Sequence, residues 1–226
     1  VRHGAIAANP VRDVARIPRK AKAPRALTDE EQRLLRKPLR EDTVAVALDL
    51  PDLVDFMLGT GVRIGEACAV RYGAVDADTG LLQVTATVVR VRWRGLVIQE
   101  SPKTDAGRRT IALPPFAIDM VNARRARLLY ADDLDVVFRS PTGLLRDPNN
   151  TSGDLRAALD RARFDWVTSH VFRKTVATRL DEAGLSARQI ADHLGHQRPS
   201  ITQDVYMGRR GVTSAAAHVL DLDPSS

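Results

Sequence analysis

Between Leu81 and Leu113 the chain changes texture, and that change constrains its fold more than any other feature. Val84, Thr85, Thr87, Val88 and Val89 are β-branched in near-continuous succession and predict one strand. Leu96 to Gln99 predicts a second. Arg109 to Leu113 predicts a third, reached through the turn-rich Lys103-Thr104-Asp105-Ala106-Gly107. Three strands so closely joined form a small antiparallel sheet. On either side the apolar spacing is helical. Thr28 opens a helix as N-cap, with Glu31 three residues on completing a capping box. A second helix is expected over residues 42–58, where Val46, Leu50, Leu53, Val54 and Met57 share a face and Pro51 marks a start or a kink. Gly59-Thr60-Gly61 ends it, and a short helix follows from Ile64 to Val70. Further helices are expected over residues 116–130, 152–163, 169–182, 186–194, 200–207 and 212–221, with Gly184 and Gly195 as stops. The expected fold is α+β and mainly helical, with a small three-stranded antiparallel sheet.

At 226 residues the chain suits one large domain with a short appendage. It begins with Val rather than Met, which points to a fragment of a longer protein. No apolar run approaches the roughly 20 residues that span a bilayer, and no signal-peptide pattern opens the chain. The single Cys68 cannot form an internal disulfide, so a reducing cytoplasm is the expected setting.

The formal net charge of +6 is unevenly placed. Arg2, Arg12, Arg16, Arg19, Lys20, Lys22 and Arg25 face one acid, Asp13, in residues 1–25, leaving 27 bases and 27 acids over residues 26–226. The arm also carries Pro10, Pro18 and Pro24. It reads either as an extended strap along phosphates or as a solvated linker.

Ser169 is a suitable N-cap, placing His170 in the first turn of a helix where the positive dipole end favours anions. His170 and Arg173 are three apart and share a face, so together they form a ready phosphate site. Metal chemistry has little support in the sequence. There is no paired Cys or H-x-x-x-H, and Asp132, Asp133 and Asp135 suit a solvated loop better than a ligand set.

The His170-Val171-Phe172-Arg173 stretch is followed by Leu194-Gly195-His196 and then Asp204-Val205-Tyr206-Met207-Gly208. It is preceded by Gly59-Thr60-Gly61-Val62-Arg63-Ile64-Gly65-Glu66 and by Ser101-Pro102-Lys103-Thr104. In this order the elements resemble the tyrosine recombinase family of phage and mobile-element integrases, from about Leu27 to Arg210. The resemblance implies that Tyr206 attacks the scissile phosphate, forming a 3′-phosphotyrosyl link and freeing a 5′-hydroxyl. A phenol of pKa about 10 needs a proton acceptor nearby, and His170 is the family's candidate. Arg63 and Arg173 would clamp the non-bridging oxygens, Lys103 would protonate the leaving oxygen, and His196 would hydrogen-bond the phosphate. His193 lies one turn earlier, and only the Leu-Gly-His context favours His196. Glu66, one turn beyond Arg63, would support it from behind.

The resemblance further implies residues 1–26 as a basic interdomain linker wrapping DNA, 27–210 as the catalytic domain and 211–226 as a tail helix. The tail's Val212, Ala215, Ala216, Val219 and Leu220 form an apolar stripe. It would dock on a neighbouring protomer of a DNA-bound tetramer, or on its own core. Double-stranded DNA is the expected partner, with DNA-bending accessory proteins a further option and no ATP or metal required. A bacterial cytoplasm is the implied location. Two other readings compete. Ser186–Gly195 with Ser200-Ile201-Thr202 also looks like a helix-turn-helix of a non-catalytic regulator. A type IB topoisomerase would use much the same chemistry without exchanging strands.

Overall fold

The computed structural model describes residues 25–100, 108–127 and 134–196. Expectations for residues 1–24, for Lys103, Asp132, Asp133 and Tyr206, and for helices at 200–207 and 212–221 lie outside the described residues.

Helix α1 (Asp29–Glu41) starts at the expected capping box: Thr28 Oγ1 accepts from Glu31 N at 3.1 Å and Glu31 Oε2 accepts from Thr28 N at 3.0 Å. The single helix expected over 42–58 is two, α2 (Thr43–Ala47) and α3 (Leu50–Thr60). The break is Asp49, whose φ of 57° lies in the left-handed region that aspartate tolerates better than most residues. Its carboxylate is held in place by Arg124. Pro51 sits in the first turn of α3, where its missing N–H costs nothing. The short helix after Gly61 is α4 (Ile64–Ala67), followed by a 3₁₀ turn at Tyr72–Ala74.

The β region differs from expectation in its pairing. Strands β1 (Val75–Asp76), β2 (Leu81–Val84) and β5 (Arg109–Ala112) form a three-stranded antiparallel sheet in the order β1-β2-β5. Strands β3 (Ala86–Val91) and β4 (Gly95–Glu100) form a separate hairpin. The single strand expected at Val84–Val89 is therefore divided at Thr85 between two sheets. In-out alternation runs on without interruption through Val84, Ala86 and Val88, all buried, so periodicity alone could not mark the change of partner.

Helices α5 (Pro115–Ala126), α6 (Pro148–Arg161), α7 (Ser169–Glu182) and α8 (Ala187–Leu194) complete the described chain. The cap of α7 is Thr168 rather than Ser169, and its side chain makes no capping hydrogen bond. Ser186, expected as the first residue of a helix, is instead the N-cap of α8.

The main core joins α1, α3, α6, α7 and the inward face of the three-stranded sheet, with Phe56 and Phe138 in edge contact at 5.1 Å between centroids. Burying each of its Leu, Val or Phe side chains contributes about 1.5–3 kcal/mol. A smaller cluster of Val176, Ala177, Ile190 and Leu194 seats α8 on α7. A third, around Cys68, Ala69, Ala86 and Val88, seats the β3–β4 hairpin on α4. Burial pushes the Cys68 thiol up to about 12, so it is an inert packing group.

Candidate functional site

Two helices stop at glycines side by side. Gly61 ends α3 at φ 69° and Gly195 ends α8 at φ 67°, both left-handed caps. At Gly61 the close approach matters as much as the angle, because a Cβ there would lie 2.8 Å from Leu194 Cδ2. The two ends thus pack against each other, and each presents last-turn carbonyls that have no helical N–H to accept. Those carbonyls carry the negative end of the helix dipole, a natural seat for cations.

Three arginines occupy it. Arg173, from the buried side of α7, donates from Nη1 to Gly61 O at 2.7 Å and from Nη2 to Leu194 O. Arg109, at the start of β5, donates from Nε to His193 O at 2.8 Å. Arg63, the residue before α4, reaches Gly195 O from Nη2 at 3.4 Å. His193 Nε2 lies 3.0 Å from Thr60 O, which accepts its proton in that tautomer.

Glu66 balances part of this charge. Its Oε1 accepts from Arg63 Nη1 at 2.8 Å and from Arg109 Nη1 at 3.2 Å. Its Oε2 accepts from Arg109 Nη2 at 2.9 Å and from the Arg63 backbone N–H at 2.8 Å. Burial alone would raise the Glu66 pKa, but the paired guanidiniums of Arg109 and Arg63 hold it down to about 2. Three guanidiniums against one carboxylate leave the cluster positive. Arg63 is the most open of the three, with 45% of its side chain exposed against 6% for Arg109.

His196 follows the Gly195 stop. Burial and the positive charges of Arg173, Arg63 and Arg109 push its imidazole down to about 4, with Glu66 opposing. It is neutral at pH 7 and senses the whole arginine cluster. His193 also has a lowered pKa, from burial first, although its bond to Thr60 O opposes the shift. Of the two histidines that sequence left in competition, His193 is committed to a backbone carbonyl and His196 sits in the field of the arginines.

His170 is exposed in the first turn of α7, one turn before the buried Arg173. The two do not leave the helix alike: Arg173 runs inward to the helix ends, and His170 remains at the surface. The structure thus brings Arg63, Glu66, Arg173 and His196 together, with His170 on the helix that carries Arg173. Lys103 belongs to the segment between β4 and β5, and Tyr206 to the chain after α8, both outside the described residues.

Sequence reasoning read Arg109 only as a strand residue. The signal was in the register: Arg109 pairs with Val84 and alternates with buried Ile111, so it lies on the inward face of β5. An arginine on a strand's apolar face needs a buried partner. Here that partner is Glu66.

The model of the phage integrase family matches residues 26–210, most of the chain. The chain belongs to that family. Among curated relatives of this integrase-family chain, a XerC-like tyrosine recombinase of Caldanaerobacter subterraneus subsp. tengcongensis is 28% identical over 166 residues, covering 66% of this chain and 42% of the relative. The tyrosine recombinase XerD of Lacticaseibacillus casei is 29% identical over 210 residues, covering 90% of this chain and 65% of the relative. The chain therefore spans between about two fifths and two thirds of the length of these relatives. Among solved structures, the Tn1549 transposon integrase in complex with a circular intermediate DNA aligns with a TM-score of 0.77 at 20% identity, covering 90% of this chain and 67% of that one. The XerA recombinase aligns at a TM-score of 0.62 and 24% identity, covering 89% and 64%. At these identities the likeness establishes a shared fold. Among the described residues no helix is long and apolar enough to cross a membrane.

Proposed function

We propose that this integrase-family chain cuts and rejoins double-stranded DNA in site-specific recombination, by transesterification through Tyr206. The observation that carries the reading is the positive cluster at the paired ends of α3 and α8, where Arg63, Arg109 and Arg173 meet, Glu66 pairs with Arg63 and Arg109, and His196 sits in their field. Such a cluster suits the two non-bridging oxygens of a phosphodiester. Preorganised donors of this kind are usually the largest single term in phosphoryl transfer.

Arg63 and Arg173 clamp the phosphate oxygens, and His196 hydrogen-bonds one of them. His170 accepts the phenolic proton as Tyr206 attacks the phosphorus. The bond to the 5′-oxygen breaks, Lys103 protonates that oxygen, and a 3′-phosphotyrosyl bond holds the cut end. Attack by a 5′-hydroxyl reverses the sequence and reseals the strand. The phosphotyrosyl bond conserves the energy of the phosphodiester, so the cycle requires neither ATP nor a metal.

Residues 1–26 act as a basic strap on the duplex. The 211–226 tail docks on a neighbouring protomer of a DNA-bound tetramer; a cavity of about 390 Å³, where Leu58, Phe116, Val176 and Leu180 lie beside Gln32, Arg36, Asp55 and Arg179, offers its apolar stripe a seat. Family relationship and arginine cluster together favour this reading over a regulator. A regulator would leave the half-exposed, positive Arg63 and the ordered Arg63, Lys103, His170/Arg173 pattern without chemical work.

The test is covalent trapping on nicked suicide duplexes, comparing wild type with Tyr206→Phe on a denaturing gel. A protein–DNA band with wild type alone is expected. Its absence from wild type that binds the same duplex, and that has been extended to the length of its relatives, would overturn the assignment. Deleting residues 211–226 is expected to abolish tetramers on DNA in sedimentation, and intact tetramers would leave the tail without a role in assembly.

A further inference from the structure

The β3–β4 hairpin ends in Arg92-Trp93-Arg94, and none of these residues takes part in the core. Trp93 is 90% exposed, against 43% for Phe116 and 65% for Leu144 among other surface apolar residues. Its φ is 66°, in the left-handed region that bulky side chains rarely adopt. The turn therefore sets its largest apolar side chain outward, in a conformation a glycine would adopt more readily, and outside the core clusters. A lone exposed aromatic is ordinary by itself; the unusual feature is the strained turn that presents it between two arginines.

Charge at the tip narrows the partner. Arg90 is paired with Asp147, which also anchors the hairpin to the start of α6. Arg92 and Arg94 stand at the exposed turn, and the Arg92 guanidinium lies over the Trp93 ring at 4.9 Å. The tip carries two arginines and no acid, so the partner it fits is anionic. A polyanion with flat, stackable groups is a good one, since arginine forks take phosphates and an indole takes bases or sugars.

The hairpin is also fixed to the candidate site. Its base packs on Ile64 and Cys68 in and beside α4, and Gly65 approaches so closely that a Cβ would lie 2.6 Å from Thr87 Oγ1. Helix α4 is the element flanked by Arg63 and carrying Glu66. The hairpin and Arg63 are thus carried by elements packed directly on each other.

We propose that the β3–β4 hairpin is a second DNA contact, in which Arg92 and Arg94 hold phosphates beside the cleavage site and Trp93 packs against sugar or base. The inference rests on the recombination reading given above for its DNA partner. It adds a contact outside the catalytic cluster.

The test measures binding to a duplex of fixed sequence by fluorescence anisotropy across a salt series, for wild type, Trp93→Gly and Arg92→Ala/Arg94→Ala. The arginine variant is expected to bind about tenfold more weakly, with the salt slope lowered by about 0.9 for each phosphate it no longer neutralises. Trp93→Gly is expected to bind more weakly with its slope unchanged. Thermal unfolding controls for the fold, and because the tip stands outside the core, the arginine variant should melt as wild type does. Wild-type affinity and slope in both variants would overturn the hairpin contact while leaving the recombination reading intact. Normal DNA binding with impaired protomer association in sedimentation would also overturn it, in favour of a protein partner. Failure of wild type to bind any duplex would overturn both readings.

Discussion

Removing the Arg109 guanidinium is expected to be among the most costly single changes at the site. Arg109 and Glu66 are both buried and joined by two hydrogen bonds, so Arg109→Ala strands a carboxylate that only the half-exposed Arg63 still neutralises. Breaking a buried pair from one side typically costs about 3–5 kcal/mol. Urea unfolding of Arg109→Ala should show a loss of that size, and a loss below about 1 kcal/mol would refute the central place given to the pair. The same residues set the acid limit of the fold. Glu66 has its pKa depressed from 4.5 to about 2, so its stabilisation is complete above pH 4.5 and is lost as pH falls towards 2. For His196, depressed from 6.5 to about 4, the folded state holds fewer protons than the unfolded state between those values. Stability is then lost as pH falls from 6.5 to 4. An anion at the cluster cancels part of the arginine field, so the His196 titration followed by NMR should move upward when phosphate or duplex DNA is added. A midpoint that stays near 4 at saturating DNA would separate His196 from the phosphate site. These residues differ in how far sequence could reveal them. Arg63, Glu66, Arg173 and His196 were legible because local wording marks them, whereas Arg109 carries its meaning only through the register that pairs it with Val84.

At the scale of elements, the site exists because two helix ends are held against each other. Gly61→Ala forces an L-residue to φ 69° and drives its Cβ against Leu194, which seats α8 on α7. The left-handed conformation alone costs about 1–2 kcal/mol, and moving Leu194 also shifts the carbonyl that accepts from Arg173. Gly61→Ala should therefore lower the melting temperature and reduce strand cleavage together, as differential scanning and trapping assays would show. Unchanged cleavage in a destabilised variant would mean that the paired helix ends serve stability alone. Some element boundaries were readable where local chemistry sets them: the Thr28/Glu31 box and the Gly195 stop stand where expected, whereas α3 runs on through Gly59 and Thr60 before Gly61 stops it. Reading failed where tertiary partners decide. No local signal tells Val84 to pair with Arg109 while Ala86 pairs with Glu100. Asp49 takes a left-handed turn that Arg124 and Arg146, distant in sequence, stabilise. Thr168 and Ser169 are equally plausible caps, and the extended backbone of Thr168 settles the choice.

Across the whole molecule, charge and connectivity link the parts to which the proposed reaction assigns a role on DNA. The net positive charge lies in residues 1–25, and the sequence beyond them is balanced. Deleting residues 1–25 is expected to flatten the dependence of DNA affinity on salt by about 0.9 for each phosphate the arm neutralises, and an unchanged slope would make the arm a bystander. The arginine cluster draws on α3, α4, β5, α7 and α8, so its geometry depends on the packing of the entire domain rather than on one loop. In the proposed reaction the guanidiniums are there to neutralise the scissile phosphate. Single-turnover covalent trapping on nicked duplexes carrying either a phosphate or an uncharged methylphosphonate at the cleavage position tests that claim most directly, with wild type beside Arg63→Ala. On phosphate the variant should be slower by about 10²–10³, the usual cost of one oxyanion donor. On methylphosphonate, with one charged oxygen replaced by a methyl group, that gap should shrink to within about tenfold. An equal defect on both substrates would contradict the account, leaving Arg63 as a partner of Glu66 with no duty to the phosphate.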